Sequence, residues 1–584
     1  MKKFLKGSIA LLLAVTMIVG GTSCKIRSSS ERFDNFLENQ LKEVLETVDT
    51  LSFNFMIKDP GALDIEREGV WFPDVLGQYG DYETTQEEMD TLSAFFNYDK
   101  LTEEQKIMYD TFNFNVNLVN KYGRFDYYND YCTGNNSVAS YLLIMLAEYS
   151  FYDEKSIKDY IELLRELNNY FNDIIEFENV KSEKGLFISD ESLDIFLSDC
   201  DKIINSGDNN VLILSFEERI DAFKGLDKEE KDSYIEKNKK VVETVVIPAY
   251  QRISKEMEKL RGTGRNNYGI ASYPDGRDYY EYLAMGKTGT SMTFKDMRAG
   301  LEATYSACVD KIKDMEKNNE TLNQRMQNSK FENSDATEIL NYLKDKMAKD
   351  YPEIPQVNFT VKYVSKSLEE NLKNPAFYLT PPIDDINENV IYINEKYSNG
   401  DIFATLAHEG YPGHLYQNTY LCSETSNLLR RRMSNQGYIE GWAEYVECNS
   451  YDYSGFDDDV IELMKLYTLC NILEMAIIDI RVNYDGMSYE TFKTTFYEEL
   501  DEEREEALKN FYFYLINEPA AYLPYAVGSM EINNMRDYAM DKLGNKFNLK
   551  DFHEVILKVG PVPFSIVWDK LEAYVNNAAV LEAA

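Results

Sequence analysis

Residues that interrupt helices are sparse along this chain, with 14 prolines and 29 glycines among 584 residues. Apolar residues recur at intervals of three and four, which places them on one face of an α-helix. The first such segment has them at Phe33, Phe36, Leu37, Leu41, Val44, Leu45 and Val48. The same period runs through 157–177, 234–260 (with a kink expected at Pro248), 297–315 and 463–482. The pattern predicts a mainly α protein.

One region departs from the helical period and predicts a small β-sheet. Residues 356–364 alternate apolar and polar side chains, and residues 390–394 form a second run typical of a strand. The proline-containing segment 374–382 between them predicts a loop, in which we expect Tyr378 to contact a substrate. Two interpretations of the sheet stay open: its edge strand pairs with the backbone of a bound peptide, or it only packs.

The N-terminus has the order of segments that is typical of an export signal. Lysines precede an apolar stretch, residues 9–19, and four small residues, 20–23, then lead to Cys24. We expect residues 1–23 to be removed and Cys24 to carry a lipid, with residues 24–32 as a short linker. The alternatives are a plain secretory peptide and an uncleaved anchor. No later run approaches the roughly 18 apolar residues of a membrane span, so the lipid would be the only contact with the membrane.

Size and charge restrict the architecture and the partners. The roughly 550 residues from 33 to 584 exceed what one hydrophobic core usually fills, which predicts two lobes, 33–265 and 266–584, within one domain. The boundary is placed at a segment rich in Gly and Asn, residues 262–267. The net charge of −40 would repel a phosphate backbone, so we expect no nucleic-acid partner. The cysteines after Cys24 form no C-x-x-C pair and predict buried thiols rather than a zinc ribbon.

The heptapeptide 408–414, His-Glu-Gly-Tyr-Pro-Gly-His, contains two of the three histidines of the chain. It is similar to the H-E-x-x-H pattern of zinc peptidases, but its second histidine comes two residues late. Asp401 is expected to cap a helix that carries His408. Residues six apart do not share a face of a regular helix, so His414 would not lie on the same side as His408 if that helix continued. Pro412 and the two glycines predict a bulge that returns His414 to the metal side. The alternative is a pair of structural histidines at a helix end.

A catalytic zinc usually has three protein ligands, so a further ligand is expected. Residues 438–447 have a helical apolar stripe and place Glu440, Glu444 and Glu447 on another face. These glutamates are either a solvated acidic stripe or the source of the third ligand. The segment Glu-Gly-Trp-Ala-Glu-Tyr is similar to the Asn-Glu-Gly-Phe-Ala motif of zinc aminopeptidases, whose glutamate binds metal. That likeness makes Glu440 the first choice, with Glu444 as a reserve ligand or a supporting partner.

These motifs, together with Tyr525-x-x-Gly528 and a Phe552-His553 pair, resemble the bacterial domain-of-unknown-function eight-eight-five family. Its members are treated as metallopeptidases and are often exported or lipoproteins, and the resemblance extends over nearly the whole mature chain. The family looks related to thimet-type oligopeptidases and Taq-type carboxypeptidases. The resemblance therefore implies a two-lobed helical zincin with a deep cleft and a small sheet before the zinc helix.

The resemblance also implies a mechanism and a substrate class. One Zn²⁺, held by His408, His414 and Glu440, would lower the pKa of its water toward about 7, and Glu409 would accept the proton of that water. Tyr525 and His553 are the expected donors to the oxyanion, and Arg536 is a candidate for a substrate carboxylate. For His553 a hydrogen-bonded position in the core is the alternative. Small peptides are the expected substrates; a lipoprotein that binds peptide or metal without catalysis is the competing hypothesis.

Overall fold

The computed structural model describes residues 28–76, 92–122, 125–134, 137–353, 357–364, 366, 369, 374–398, 402–496 and 502–580. Helices dominate these residues, so the predicted mainly α fold class is confirmed. The signal segment, Cys24 and the expected cap Asp401 lie outside the described residues. Within the described residues, no helix is both long enough and apolar enough to cross a membrane.

The helices before the sheet include those that the apolar periods predicted. They are α1 (Ser29–Thr47), α2 (Thr50–Met56), α3 (Glu103–Tyr122), α4 (Tyr141–Ala147), α5 (Glu154–Lys184), α6 (Asp190–Ile204), α7 (Val211–Ala222), α8 (Lys228–Val241), α9 (Ile247–Glu258), α10 (Gly276–Thr288), α11 (Phe294–Asn318), α12 (Leu322–Asn328) and α13 (Ala336–Met347). Side chains define the ends of several of them. Ser28 and Glu31 form a reciprocal capping box at the start of α1, and α5 ends at Gly185 in the left-handed conformation.

The irregularity expected at Pro248 is a π-helical turn over 242–246, between α8 and α9. Pro248 has no N–H to donate to the carbonyl four residues earlier, so the regular helical pattern cannot continue through it. The N–H of Ile247 donates instead to the carbonyl of Val242, five residues back. The two helices of this segment therefore stay continuous across the proline.

The sheet has three strands, one more than the sequence predicted. Strands β1 (Phe359–Tyr363) and β3 (Asn389–Ile393) are parallel, and β2 (Ala376–Leu379) is antiparallel to β3 at the other edge. The prediction that the whole of segment 374–382 forms a loop is therefore wrong. Its flanking prolines indicate turns, but the four residues of β2 satisfy their backbone groups by pairing with β3, with Tyr378 opposite Ile391.

The helices after the sheet carry the candidate site. They are α14 (Phe403–Glu409), α15 (His414–Glu424), α16 (Leu428–Arg432), α17 (Gln436–Ser450), α18 (Asp458–Asn483), α19 (Tyr489–Phe496), α20 (Glu502–Asn517), α21 (Leu523–Leu543), α22 (Leu549–Val559) and α23 (Phe564–Val580). The sheet therefore precedes the histidine helix directly, as predicted.

Two large hydrophobic cores, rather than one, organise the described chain. The first joins α1 and α3 to α13, the sheet, α14–α17 and α21–α23, through residues such as Phe33, Leu340 and Trp442. The second lies within residues 51–260 and centres on α5, with Leu163 and Phe171 fully buried. Burial of this apolar surface is the main stabilising contribution to such a fold. The domain boundary at residue 265 stays a prediction.

Candidate functional site

The heptapeptide forms a turn between two helices rather than a bulge within one. α14 ends and α15 begins on either side of residues 410–413. Gly413 lies against the last turn of α14, where a Cβ atom would stand 1.7 Å from the carbonyl oxygen of His408. The carbonyl of Pro412 accepts a hydrogen bond of 2.9 Å from Nε1 of Trp442 on α17. Glycine permits the close approach, and proline ends the helical hydrogen bonding. The chain therefore forms a turn between two helices here, and the predicted bulge within one helix is wrong.

This turn brings the two imidazoles of the heptapeptide together. The ring centroids of His408 and His414 lie 4.8 Å apart, with the ring planes nearly perpendicular. Oε2 of Glu440, on α17, lies 3.8 Å from Nε2 of His408 and 3.5 Å from Nε2 of His414. Two ligands on adjacent corners of a tetrahedral zinc site are about 3.4 Å apart, given metal–ligand distances near 2.1 Å. The three side chains therefore have the spacing of a zinc ligand set.

Glu440 provides an independent test of whether a cation fits here. Its Oε2 is buried and, within the described part of the chain, has no hydrogen-bond partner. A buried carboxylate oxygen without a partner is costly, because desolvation of the charge is left uncompensated. A divalent cation between Glu440 and the two histidines would compensate it. The residues present thus fit a zinc ion.

The helix that carries Glu440 packs against α21 at the level of the backbone. A Cβ atom on Gly528 would lie 1.9 Å from the carbonyl oxygen of Gly437, and one on Gly441 would lie 2.3 Å from the carbonyl carbon of Gly528. Only glycines permit such an approach. The crossing brings the first turn of α21, with Tyr525, toward Glu440.

Two further carboxylates of α17 lie on the other side of His408. Nδ1 of His408 is 2.9 Å from Oε2 of Glu447, the distance of a charge-assisted hydrogen bond. Glu444, the reserve ligand, groups with His408 and Glu447 within 4.8 Å. Burial, followed by the charge of Glu447, raises the pKa of Glu444 to about 8. Sequence reasoning placed Glu447 on the shared face but gave it no role, although its spacing of seven from Glu440 was the available signal.

Glu409, the candidate general base, is buried beside the sheet. Its Oε2 accepts a hydrogen bond of 2.8 Å from the backbone N–H of Tyr378 on β2. Burial raises the pKa of Glu409, against the lowering effect of the two nearby histidines. The hydroxyl of Tyr378 donates to Asn389 at 2.6 Å and accepts from Asn418 at 3.1 Å. The side chain of Tyr378 is thus held by the fold, while its backbone meets the site.

His408 and Glu440 favour opposite charges on one another. Burial alone would lower the pKa of His408, but the nearby carboxylates of Glu440 and Glu447 raise it well above its usual range. Burial alone would raise the pKa of Glu440, but His414 and His408 lower it well below its usual range. The cluster therefore stabilises positive charge between an ionised Glu440 and the two rings, which is the electrostatic condition for holding a cation.

Tyr525, a predicted donor to the oxyanion, also lies near this cluster. Its ring lies 6.2 Å from that of His408, with an interplanar angle of 22°. Burial, and then the charges of Glu440 and Glu409, raise the pKa of the Tyr525 phenol well above its usual range. The phenol therefore stays protonated and faces both carboxylates.

His553 and Arg536 lie behind α17, away from the histidine pair. Nδ1 of His553 is 2.7 Å from the carbonyl oxygen of Asp350, and Nε2 is 3.0 Å from the hydroxyl of Tyr445. Its ring stacks on Tyr351 at 4.2 Å, and burial lowers its pKa to about 4. The guanidinium of Arg536 lies over the ring of Tyr445. His553 therefore has the contacts of the core position considered as its alternative, and neither residue joins the cluster.

A second group of potential ligands, Asp130, Cys132 and Glu178, is buried in the other core. Nζ of Lys181 lies 2.9 Å from Asp130 and 3.2 Å from Glu178, and the side chains of Lys181 and Glu178 are at most 1% exposed. Burial raises the pKa of Glu178 to about 7, against the lowering effect of Lys181. The ammonium of Lys181 already compensates these carboxylates, so this group is an ion-pair cluster within the core.

Fold and site together define a mainly helical protein with a His-His-Glu cluster and a glutamate adjacent to its first histidine. The chain belongs to the family described as "Bacterial protein of unknown function (DUF885)", whose model matches residues 76–571. None of the curated proteins compared matches the chain.

Two solved structures share the fold. The crystal structure of "the putative lipoprotein from Colwellia psychrerythraea" is 18% identical, with a TM-score of 0.74, over 94% of this chain and all of that one. The structure of "a putative lipoprotein of unknown function from Shewanella oneidensis" is 15% identical, with a TM-score of 0.62, over 93% of this chain and 99% of that one. At these identities the two structures show the fold alone.

Proposed function

We propose that this protein is a zinc-dependent peptidase. The observation that carries the proposal is the convergence of His408, His414 and Glu440, with Glu409 next to the first histidine. Nε2 of each histidine and Oε2 of Glu440 would hold the ion. Glu440 is preferred to Glu444 because it lies within 3.8 Å of both Nε2 atoms. When bound, zinc would supply a Lewis acid that polarises a carbonyl and acidifies water.

The residues around the ligands suit the remaining tasks of amide hydrolysis. Glu409 would accept a proton from the attacking water through Oε1, while the Tyr378 N–H holds Oε2, and would then return the proton to the leaving amine. The protonated phenol of Tyr525 would donate a hydrogen bond to the developing oxyanion. Glu447 would hold the ring of His408 through Nδ1, which fixes the tautomer that leaves Nε2 for the metal.

The edge strand β2 supports a peptide as the substrate. In an antiparallel pair, the N–H and C=O of one residue point to the same side of its strand. The N–H of Tyr378 points toward Glu409 instead of β3, so the carbonyl of Tyr378 lies on the outer edge as well. An extended peptide could pair with this edge beside the general base. The predicted role of Tyr378 in substrate binding would then belong to its backbone.

We also propose that the protein is exported and anchored through a lipid on Cys24. The N-terminal sequence carries this part of the proposal, and both similar structures are of proteins described as a "putative lipoprotein". The lipid would keep the catalytic residues outside the cytoplasm. Mass spectrometry of the N-terminal fragment would test it, because a lipid adds a defined mass to a chain that begins at Cys24.

The decisive experiment compares zinc content with peptide hydrolysis for the wild type, Glu409→Gln and His414→Ala. We expect one zinc per chain and turnover of a mixed peptide library in the wild type. Glu409→Gln should keep the zinc and lose turnover, whereas His414→Ala should lose both. Glu474→Gln is the matched control, because Glu474 lies on α18 and accepts a hydrogen bond from Tyr305 on α11. This substitution should change neither the zinc content nor the turnover.

Two results would overturn the proposal. Bound zinc without turnover of any peptide would assign the protein to metal or peptide binding. A Glu409→Gln protein that keeps zinc and cleaves at the wild-type rate would exclude Glu409 as the base.

A further inference from the structure

Three tyrosines line up outward from the candidate metal site. Tyr525 lies against His408, and Tyr522 precedes it by one helical turn, at the cap of α21. Residues three apart in such a turn share a face, so Tyr522 continues the surface that Tyr525 begins. The ring of Tyr514, on α20, lies 5.9 Å from that of Tyr522 in an edge-to-face contact. Tyr514, Tyr522 and Tyr525 are called the tyrosine wall below.

The outer part of the wall is accessible. Tyr514 is 42% exposed, among the most exposed large hydrophobic residues of the described chain, and Tyr522 is half-buried. Neither hydroxyl has a hydrogen-bond partner among the residues that the structure describes. Tyrosine side chains therefore extend from the exposed surface at Tyr514 to the neighbourhood of His408.

The loop between α20 and α21, which precedes Tyr522, is fixed by hydrogen bonds to buried side chains. The buried carboxylate of Asp479 accepts hydrogen bonds from the backbone N–H groups of Ala520 and Ala521, at 3.1 and 3.0 Å. Nζ of Lys287 donates to the carbonyl of Pro519 at 2.9 Å. Ala520 has φ of +60°, a conformation that costs free energy for any residue with a Cβ atom. Such support fixes Tyr522 in place, as a preformed binding surface requires.

We propose that the tyrosine wall is a side-chain subsite that takes a large aromatic or apolar residue of the peptide, next to the bond that is cleaved. This inference rests on the proposed function and adds a substrate class to it. Tyrosine rings offer apolar area with little loss of side-chain entropy, and edge-to-face or offset stacking favours an aromatic guest. The hydroxyls of Tyr514 and Tyr522 would add hydrogen bonds to the guest residue or its backbone.

The test compares two pentapeptides that differ only in a central Phe or Ala. We expect the wild type to cleave the Phe peptide with a kcat/KM about ten- to hundredfold higher, the range that burial of one large side chain supplies. Tyr514→Ala and Tyr522→Ala should remove most of this preference, mainly through KM. Tyr514→Phe should retain it. Tyr268→Ala is the matched control, because Tyr268 is 51% exposed outside the wall.

A binding measurement separates failure of the subsite from failure of the proposed function. Zinc-loaded Glu409→Gln protein should bind the Phe peptide more tightly than the Ala peptide, by the same factor, and lose this difference with Tyr514→Ala. If the wild type cleaves both peptides equally, or if the alanine variants keep the preference, the subsite is wrong while the peptidase stands. If nothing is cleaved but the binding preference depends on Tyr514, the catalytic proposal fails and the subsite stands.

Discussion

Replacing Glu447 by glutamine tests the role of the carboxylate that contacts His408 from behind. The two groups are 2.9 Å apart, and a glutamine side chain would keep an acceptor of nearly the same shape but lose the charge. A charge-assisted hydrogen bond contributes about 1.5–3 kcal/mol and a neutral one about 0.5–1.5 kcal/mol. The side chain of Glu447 is 23% exposed, so solvent screens part of the difference. A loss of about 1 kcal/mol remains, which weakens zinc binding about fivefold.

Zinc affinity in this experiment is measured by competition with a chromophoric chelator at neutral pH. Glu447→Ala should cost more, about 10–100-fold, because the ring of His408 then loses its orienting partner altogether. Glu474→Gln again serves as the matched control and should bind zinc as the wild type does. Equal affinities for Glu447→Gln, Glu447→Ala and the wild type would refute the reasoning that Nδ1 is held in order to present Nε2.

Packing and burial support three further predictions. Gly528→Ala should lower the free energy of unfolding by about 1–3 kcal/mol, since its Cβ would overlap the α17 backbone. Gly300→Ala is the control, because the nearest atoms there belong to a flexible methionine at 3.4 Å. Equal urea midpoints for the two variants would contradict the prediction. Lys181→Met should cost about 3–5 kcal/mol by leaving buried carboxylates unpaired, and an unchanged thermal midpoint would refute it. Burial lowers the pKa of His553 to about 4, so its stabilisation is full above about pH 6.5 and declines below it. From about pH 7.5 to about pH 5 the wild type should lose about 2 kcal/mol relative to His553→Phe, and parallel unfolding curves would show that His553 does not titrate this way.

The helices and the centre of the candidate site were predictable from the sequence because both depend on short-range patterns. Apolar spacing identified α1, α5, α11 and α18, whose ends shifted by at most seven residues. The heptapeptide identified His408 and His414 because Pro412 interrupts the helix between them and the glycines permit the chain to turn there. Their convergence with Glu440 is now described, while their roles as ligands stay predictions.

Features that depend on distant contacts were not predictable. β2 has prolines on both sides and forms only because β3, more than ten residues later, satisfies its backbone. Glu447 gained its contact from the way α14 meets α17. Its spacing of seven from Glu440 places both on one face of α17 but does not show which nitrogen of His408 meets it. His553 lies on an apolar helix face in the sequence, and only the structure shows that the carbonyl of Asp350 and the hydroxyl of Tyr445 occupy its two nitrogens.

The scarcity of histidine makes this large protein unusually accessible to nuclear magnetic resonance. Histidine labelled with ¹⁵N would report three rings in a chain of 67.8 kDa, two of them in the candidate metal site. His553, held neutral between a carbonyl and a hydroxyl, would give signals that stay constant from neutral to mildly acidic pH. Added zinc would move the Nε2 signals of the other two rings and leave His553 as a built-in reference. Metal occupancy could then be followed residue by residue without mutating a single ligand.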